Sequence, residues 1–377
     1  MKVLFLIDSL GAGGAERSTY QLARHLEETG HSAAIVALKS KAVGISEEFA
    51  GLRGRVVVGS GGNLRSRVAF VKRTIAEERP DIVHSVIFDS NLILRIVGWT
   101  DKTFVTVQSL VGLPYLEARR FESRIRSLKH AVVKGVDALT GRLSNLNFHV
   151  ISRAVREHYR PLYHYDDDRV FLVYRGRDEN QLVGGPRSFP GSRPFVLINV
   201  GRQEAVKDQV VLVQAMDQLV NQQGQTNIVL KIYGRRGGAT KAIEAAIAEY
   251  ALEDHVQLMG FDPAMDKAYA AGDAFLFSSL HEGMGGALVE AMAARLPCIC
   301  SDIPTFREVV GEEGRALFFP VSDHQELAAR VRELIASPDL YRELSGAGYR
   351  RFREAFRNES VMEQMVSMYE KLHARGI

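Results

Sequence analysis

Glu282 and Glu290 bracket the run Gly283-Met284-Gly285-Gly286-Ala287-Leu288-Val289. A carboxylate only accepts hydrogen bonds, which suits it to the vicinal hydroxyls of a sugar or ribose. The glycines let backbone approach a ligand closely. A helical pattern starts there, so the N–H groups of Gly285, Gly286 and Ala287 are free and the dipole favours an anion. Upstream, Gly201-Arg202 ends an apolar run, and Lys207 follows near the start of the next helical pattern. Open α/β sheets bind ligands outside the carboxyl ends of their strands, so both cations should point at a bound anion. Diphosphate at a helix start and hydroxyls at each carboxylate describe a nucleotide-sugar. A third run, Val256 to Phe261, puts the backbone around Met259 and Phe261 where a nucleobase could lie.

A second glycine cluster, Gly11-Ala12-Gly13-Gly14-Ala15-Glu16, follows a strand and opens a helix. It is not a dinucleotide fingerprint, because the third glycine would be Glu16, whose carboxylate repels a pyrophosphate. No P-loop Lys-Ser/Thr pattern occurs either. Gly13 and Gly14 read as a loop that brings backbone N–H groups to a sugar or phosphate in a cleft, or as a plain tight turn. Cys298 and Cys300 lie on a buried strand, and two ligands are too few for a structural zinc site. No metal is expected, and no cofactor beyond the nucleotide-sugar substrate. Trp99 reads as core.

The elements that position these residues are legible from apolar runs without alternation, the mark of strands buried on both faces of a parallel sheet. Such runs lie at Val3–Ile7, Ala33–Leu38, Asp81–Val86, Thr103–Val107 and Phe148–Ile151. After a Gly/Pro-rich stretch over 176–194 they resume at Phe195–Val200, Ile228–Tyr233, Val256–Leu258, Ala274–Phe277, Cys298–Ser301 and Leu317–Phe319. With helical patterns between them, the expected fold is α/β, two doubly wound Rossmann-like domains facing a cleft. The Gly/Pro-rich stretch divides the chain into two domains near residue 180.

The 377 residues carry 46% hydrophobic and 25% charged residues and a net charge of +3, excluding a disordered or fibrous chain. Residues 1–180 hold 27 Lys and Arg against 20 Asp and Glu, and the remainder holds 21 against 25. The basic half suggests an acidic substrate or an anionic membrane surface. Much of the excess lies in helix 117–142, where Phe121, Ile125, Leu128, Val132, Val136 and Leu139 form one apolar face. Arg119, Arg120, Arg124, Arg126, Lys129, Lys134 and Arg142 surround it. Such a face either packs on its own domain or lies on anionic lipid. No run is apolar enough to span a membrane, the first residues are too short for a signal-peptide core, and two cysteines suit a reducing compartment. The expected location is cytoplasmic, with peripheral attachment to the inner face of the cell membrane through this helix. No nucleic-acid partner is called for.

Taken together, these residues resemble the GT-B glycosyltransferases of family 4, which are retaining nucleotide-sugar enzymes. Glu282 and Glu290 match the family's E-x7-E motif, continued by Ala291-Met292-Ala293. Gly201-Arg202 with Lys207 matches its diphosphate-binding pair, and Gly13-Gly14-Ala15-Glu16 matches the GGAE start of one large subset. The resemblance implies that Arg202 and Lys207 bind the donor diphosphate, Glu282 the sugar hydroxyls, Glu290 the ribose, and Gly285 to Ala287 the distal phosphate. It also implies retention of configuration by front-face attack, with the leaving phosphate taking the acceptor proton, and a final helix that returns to the first domain. It makes 1–180 the acceptor domain, with 359–377 packing on it, and 181–358 the donor domain; the basic helix 117–142 suggests a sugar-containing or lipid-linked acceptor. The sequence departs from the pattern at Gln108, where a sugar-contacting histidine is common, at Arg175-Gly176 in place of Asn-Gly, and at Gly286 in place of an aliphatic residue. Arg235-Arg236 is also an unusual pair. A nucleotide-sugar epimerase or a non-catalytic nucleotide-sugar binder would use the same donor residues.

Overall fold

Strands made of unbroken apolar residues must be covered by helices on both faces. The computed structural model describes residues 1–11, 14–40, 49, 51–116, 124–143, 146–179, 187–262, 264–311 and 313–376, with 124–127 described by their backbone alone. Within these the chain divides into two units, Met1–Arg175 with Val361–Ile377, and Gly176–Ser360.

In the first unit the strands are β1 (Lys2–Ser9), β2 (Ser32–Lys39), β3 (Val56–Val58), β4 (Ile82–Val86), β5 (Val105–Leu110), β6 (Asn147–Val150) and β7 (Val170–Leu172). They form one parallel sheet in the order β3-β2-β1-β4-β5-β6-β7. The connecting helices are α1 (Gly14–Glu28), α2 (Leu64–Glu78), α3 (Phe88–Thr100), α4 (Arg124–Leu143) and α5 (Arg153–Tyr163). The period-two geometry of β1 splits its side chains between two cores. Leu4 and Leu6 pack with Val71, Ile75, Ile93 and Leu94 of α2 and α3. Val3, Phe5 and Ile7 pack with Leu22 and Leu26 of α1 and with the last helix, through Met362, Met365, Tyr369 and Leu372. The three-residue edge strands β3 and β7 lie outside the runs read from sequence, whereas β13, an edge of the same length, is among them. Trp99, expected in the core, is 65% exposed, because it falls on the outer face at the end of α3.

The second unit repeats the plan with β8 (Phe195–Val200), β9 (Ile228–Tyr233), β10 (Val256–Gly260), β11 (Ala274–Phe277), β12 (Cys298–Ser301) and β13 (Leu317–Phe319). These are parallel, in the order β10-β9-β8-β11-β12-β13. Its helices are α6 (Gln209–Asp217), α7 (Thr240–Glu249), α8 (Met265–Ala271), α9 (Gly286–Ala293), α10 (Pro304–Val310), α11 (His324–Ala336) and α12 (Pro338–Ala355), and α13 (Asn358–Ala374) then carries the chain into the first unit's core. Cys298 and Cys300 are buried free thiols on β12, as expected. No described helix is long and apolar enough to cross a membrane.

His84, at a strand end, and His149, which shows no partner in the sequence, are wired together inside the first unit. His149 Nε2 faces the carbonyl of Val173 at 2.9 Å, and a carbonyl only accepts, so that nitrogen carries the proton. The direction of the chain follows. Ser109 donates to His149 Nδ1 at 2.8 Å, His84 Nε2 donates to Ser109 at 2.7 Å, and Tyr369 of α13 donates to His84 Nδ1 at 2.5 Å. Both rings are neutral. Burial lowers the His149 pKa from 6.5 to about 4, and burial, together with the His149 ring and the Arg175 charge close by, holds His84 well below 6.5. The unfolded chain takes up protons below pH 6.5 that the folded state refuses. This stability is therefore complete above pH 6.5 and is lost as the pH falls toward 4, about 3 kcal/mol from His149 alone. Urea unfolding at pH 7.5 and 4.5 should show that loss, and His149→Gln should shrink the difference while leaving the part due to His84; an unchanged pH slope in the variant refutes the assignment.

Candidate active site

The carboxyl ends of β8 and β11 deliver the two residues with most chemistry. Beyond β8 the chain turns at Gly201 and Arg202 into a short 3-10 turn, Ala205–Lys207. Gly234, after β9, has φ of +146°, and a Cβ there would stand 1.9 Å from the Gly201 carbonyl, so only glycine fits. The 3-10 turn is tied to the segment after β11 by Ser278 Oγ donating to the Lys207 carbonyl at 2.8 Å and by the Leu280 amide donating to Val206 O at 2.9 Å. Lys207 is thereby aimed at Glu282. Its ammonium pairs with Glu282 Oε1, and Ser279 Oγ donates to the same oxygen at 3.0 Å. Thr305 fixes the Glu282 backbone by donating to its carbonyl at 2.8 Å.

Beneath this pair lies an aromatic floor. The Lys207 ammonium stands 5.0 Å above the Phe277 ring, a cation–π contact, and Phe277 stacks on Phe306 with centroids 4.7 Å apart. Gly285 rests on Phe306 with φ of +83°, where a Cβ would come within 2.8 Å of the ring. That left-handed residue turns the chain into α9, whose first internal bond runs from the Leu288 amide to Gly285 O at 3.0 Å. No described backbone acceptor takes the N–H groups of Gly286 and Ala287. The start of α9 thus presents unpaired donors, a ready anion site beside a lysine.

Glu290 sits in the second turn of α9, and both of its oxygens are engaged. Arg177 Nε donates to Oε1 at 2.6 Å and Tyr269 Oη donates to Oε2 at 2.9 Å. A carboxylate keeps further lone pairs, so it can still accept from hydroxyls. Arg202 is exposed and makes no ion pair among the described residues. Met259 and Phe261 are 43% and 54% exposed, and the Arg235 guanidinium lies 4.5 Å from the centre of the Phe261 ring.

The residues expected around the first unit's glycine turn fare differently. Gly13 lies outside the described residues, and Gly14 opens α1, where a Cβ would approach the Arg175 guanidinium at 3.9 Å. Gln108 does not lie in a loop. It is a fully buried residue of β5 whose side-chain oxygen accepts from Arg95 Nε at 2.9 Å, which removes it from any open binding loop in this structure.

Arg95 is the centre of a buried cluster that sequence reading missed. Its guanidinium donates to Asp137 Oδ1 at 2.8 Å, to Thr140 Oγ1 at 2.8 Å and to Tyr163 Oη at 2.7 Å. Tyr115 and Tyr163 donate to Asp137 in turn. Asp137 and Thr140 belong to α4, so the basic amphipathic helix is held by a polar inner face. Its apolar stripe points outward: Leu128, Val132, Val136, Leu139 and Leu143 are 42–67% exposed. The expectation that this face could pack on its own domain fails for these described positions. Arg119, Arg120 and Phe121, and the side chains of Arg124, Ile125 and Arg126, lie outside what is described. Arg177, Tyr269 and Ser279 were also missed. Only the pairing of an arginine at 177 with a bare glycine at 286 could have suggested the first.

Two α/β units with cations, carboxylates and a helix N-terminus at the strand ends define a GT-B protein, and comparison with known proteins gives the family. Residues 187–351 match the model "Glycosyl transferases group 1" and residues 12–181 match "Glycosyltransferase Family 4". The chain belongs to the GT-B glycosyltransferases of family 4. It is 36% identical over 135 residues to an MMP alpha-(1->4)-mannosyltransferase of Mycolicibacterium hassiacum, covering 35% of this chain and 33% of that protein. It is 27% identical over 220 residues to O-antigen chain mannosyltransferase B of Escherichia coli, covering 56% and 57%. The matched stretches thus span between a third and somewhat over half of these relatives. Among solved structures, a sucrose-phosphate synthase from Thermosynechococcus elongatus superposes with a TM-score of 0.84 at 19% identity, over all of both chains. Anabaena HepE in complex with UDP and glucose gives 0.82 at 19%, over 98% of this chain and all of that one. At such identities the likeness is one of fold.

Gly285→Ala should cost about 1–3 kcal/mol of stability, from a left-handed backbone and a clash with Phe306. A denaturant midpoint equal to that of the wild type refutes this reading of the turn.

Proposed function

We propose that the protein is a retaining glycosyltransferase that moves a sugar from a nucleoside-diphosphate sugar to an acceptor on a lipid-linked or cell-envelope glycan. The observation that carries this is the Lys207–Glu282 pair beside the unpaired N–H groups of α9. Lys207 exchanges Glu282 for the donor diphosphate, Arg202 supplies a second cation, and the amides of Gly286 and Ala287 take the distal phosphate. Charge that develops on the leaving diphosphate meets donors already in place, which lowers the barrier without reorganisation. Glu282, released from Lys207, accepts from the donor-sugar hydroxyls, and Glu290 accepts from the ribose. The leaving phosphate takes the acceptor proton, so no protein general base is assigned and no metal is needed. The UDP and glucose held by Anabaena HepE favour trying UDP-sugars first, and the mannosyltransferase relatives add GDP-mannose.

The outward apolar stripe of α4, with exposed Lys129 and Lys134 on the same helix, supports peripheral attachment to an anionic bilayer. Each such side chain gains about 1.5–3 kcal/mol when fully buried, so leaving five in water is a standing cost that a bilayer removes. A lipid-linked acceptor would be met at that surface.

A panel of nucleotide-sugars scored by thermal stabilisation, then nucleoside-diphosphate release with and without acceptor, tests the first reading. An altered sugar formed without acceptor would mean an epimerase instead. Lys207→Ala and Arg202→Ala should each lower kcat by about 10²–10³; near-wild-type turnover in either variant refutes the phosphate clamp. The protein should sediment with vesicles containing anionic phospholipid, and Leu128→Glu with Leu139→Glu should abolish this. Equal recovery with neutral vesicles counts against the bilayer reading.

A further inference from the structure

Glu290 is held more firmly than a ligand-binding carboxylate on an open helix needs to be, and the residue that holds it is pinned at three places. The backbone of Arg177 is clamped between the carbonyl of Phe356, which accepts its N–H at 2.8 Å, and the amide of Asn358, which donates to its carbonyl at 2.9 Å. Its neighbour Gly176 admits no side chain, since a Cβ there would lie 2.5 Å from Asn358 Cα. The side chain is fixed by Nη1 donating to Gly176 O at 2.9 Å and Nε donating to Glu290 Oε1 at 2.6 Å. The guanidinium also fills the space over residue 286, where a Cβ would stand 2.1 Å from Nη2. With Arg177 in this position, the bare glycine at 286 leaves room for its guanidinium, and a side chain there would displace it. Tyr269, fully buried, takes the other carboxylate oxygen.

We infer that Arg177 is a positioning residue of the nucleotide site, which with Tyr269 orients the Glu290 carboxylate to accept a vicinal diol and so sets selectivity for ribose over deoxyribose. A carboxylate whose two oxygens each hold one fixed donor cannot rotate, so its remaining lone pairs keep one direction and meet two hydroxyls without an entropic cost. Gly286 is the residue that makes room for this. The inference rests on the donor-site reading above, and particularly on Glu290 facing the ribose.

The test is calorimetric titration of the whole chain with UDP and GDP, and with the 2′-deoxy and 3′-deoxy forms of whichever binds. Wild-type protein should prefer the ribose form by about tenfold or more, the size of one lost charge-assisted hydrogen bond. Arg177→Met, which keeps bulk but not the donor, should bring that ratio below about threefold, and Arg177→Lys should restore part of it. Gly286→Ala, with Arg177 intact but displaced, should lower the ratio in the same way, and it serves should Arg177→Met fail to fold. The double variant should be no worse than either single one. A wild-type ratio retained in Arg177→Met or Gly286→Ala overturns the inference alone. Wild-type protein that binds neither nucleotide overturns the donor-site reading and the inference with it.

Discussion

An ammonium group half-withdrawn from water at the end of a buried sheet requires an anion beside it, and much of the second unit serves that one requirement. Lys207 finds Glu282, with Phe277 beneath and Ser279 alongside. Neutralised in this way, the site can stay open and desolvated on one side without a large self-energy. The glycine at 234 lets the strand ends approach closely enough for the turn at Gly201 to exist, and the one at 285 starts α9 against the Phe277–Phe306 stack. On the proposed reading, an incoming diphosphate would replace one anion by another, so binding would exchange ion pairs instead of creating a new buried charge.

The sheet plan was legible because parallel strands buried on both faces announce themselves as unbroken apolar runs: β8, β9, β11, β12 and β13 have the bounds read from sequence. The short edges β3 and β7 did not, although β13, an edge of the same length in the second sheet, did. In the site, Glu282, Glu290, Lys207 and Gly285 were legible from type and spacing, because a helix start with glycines and flanking carboxylates has few other uses. What was not legible depends on tertiary proximity. Arg177 is 113 residues from Glu290, and Arg95 is 42 from Asp137. Gln108 was misread because a strand-end position was taken to be open, whereas a buried arginine claims it.

The Arg95 cluster shows what inverts an amphipathic helix. Asp137, Thr140, Tyr163 and Gln108 satisfy the guanidinium, and Tyr115 donates to Asp137 in turn, so that the inner face of α4 is polar. Gly141 allows α4 to press against the Tyr163 ring, where a Cβ would come within 2.4 Å. Once that inner face is committed, the leucines and valines have only the outside left to occupy. Breaking such a buried pair by removing one partner leaves an uncompensated charge, which binds the exposure of the stripe to the integrity of the cluster.

The helix that completes the first core has a consequence for biosynthesis. Val361, Met365 and Tyr369 leave the ribosome only after all of the second unit has been made, yet they cover Val3, Phe5 and Ile7 and supply the hydroxyl at the head of the histidine chain. The unit translated first is thus the unit finished last. For the time needed to add about 190 residues at roughly 5–20 per second, its sheet carries an uncovered apolar face. That nascent chain is the form of this protein most in need of a chaperone.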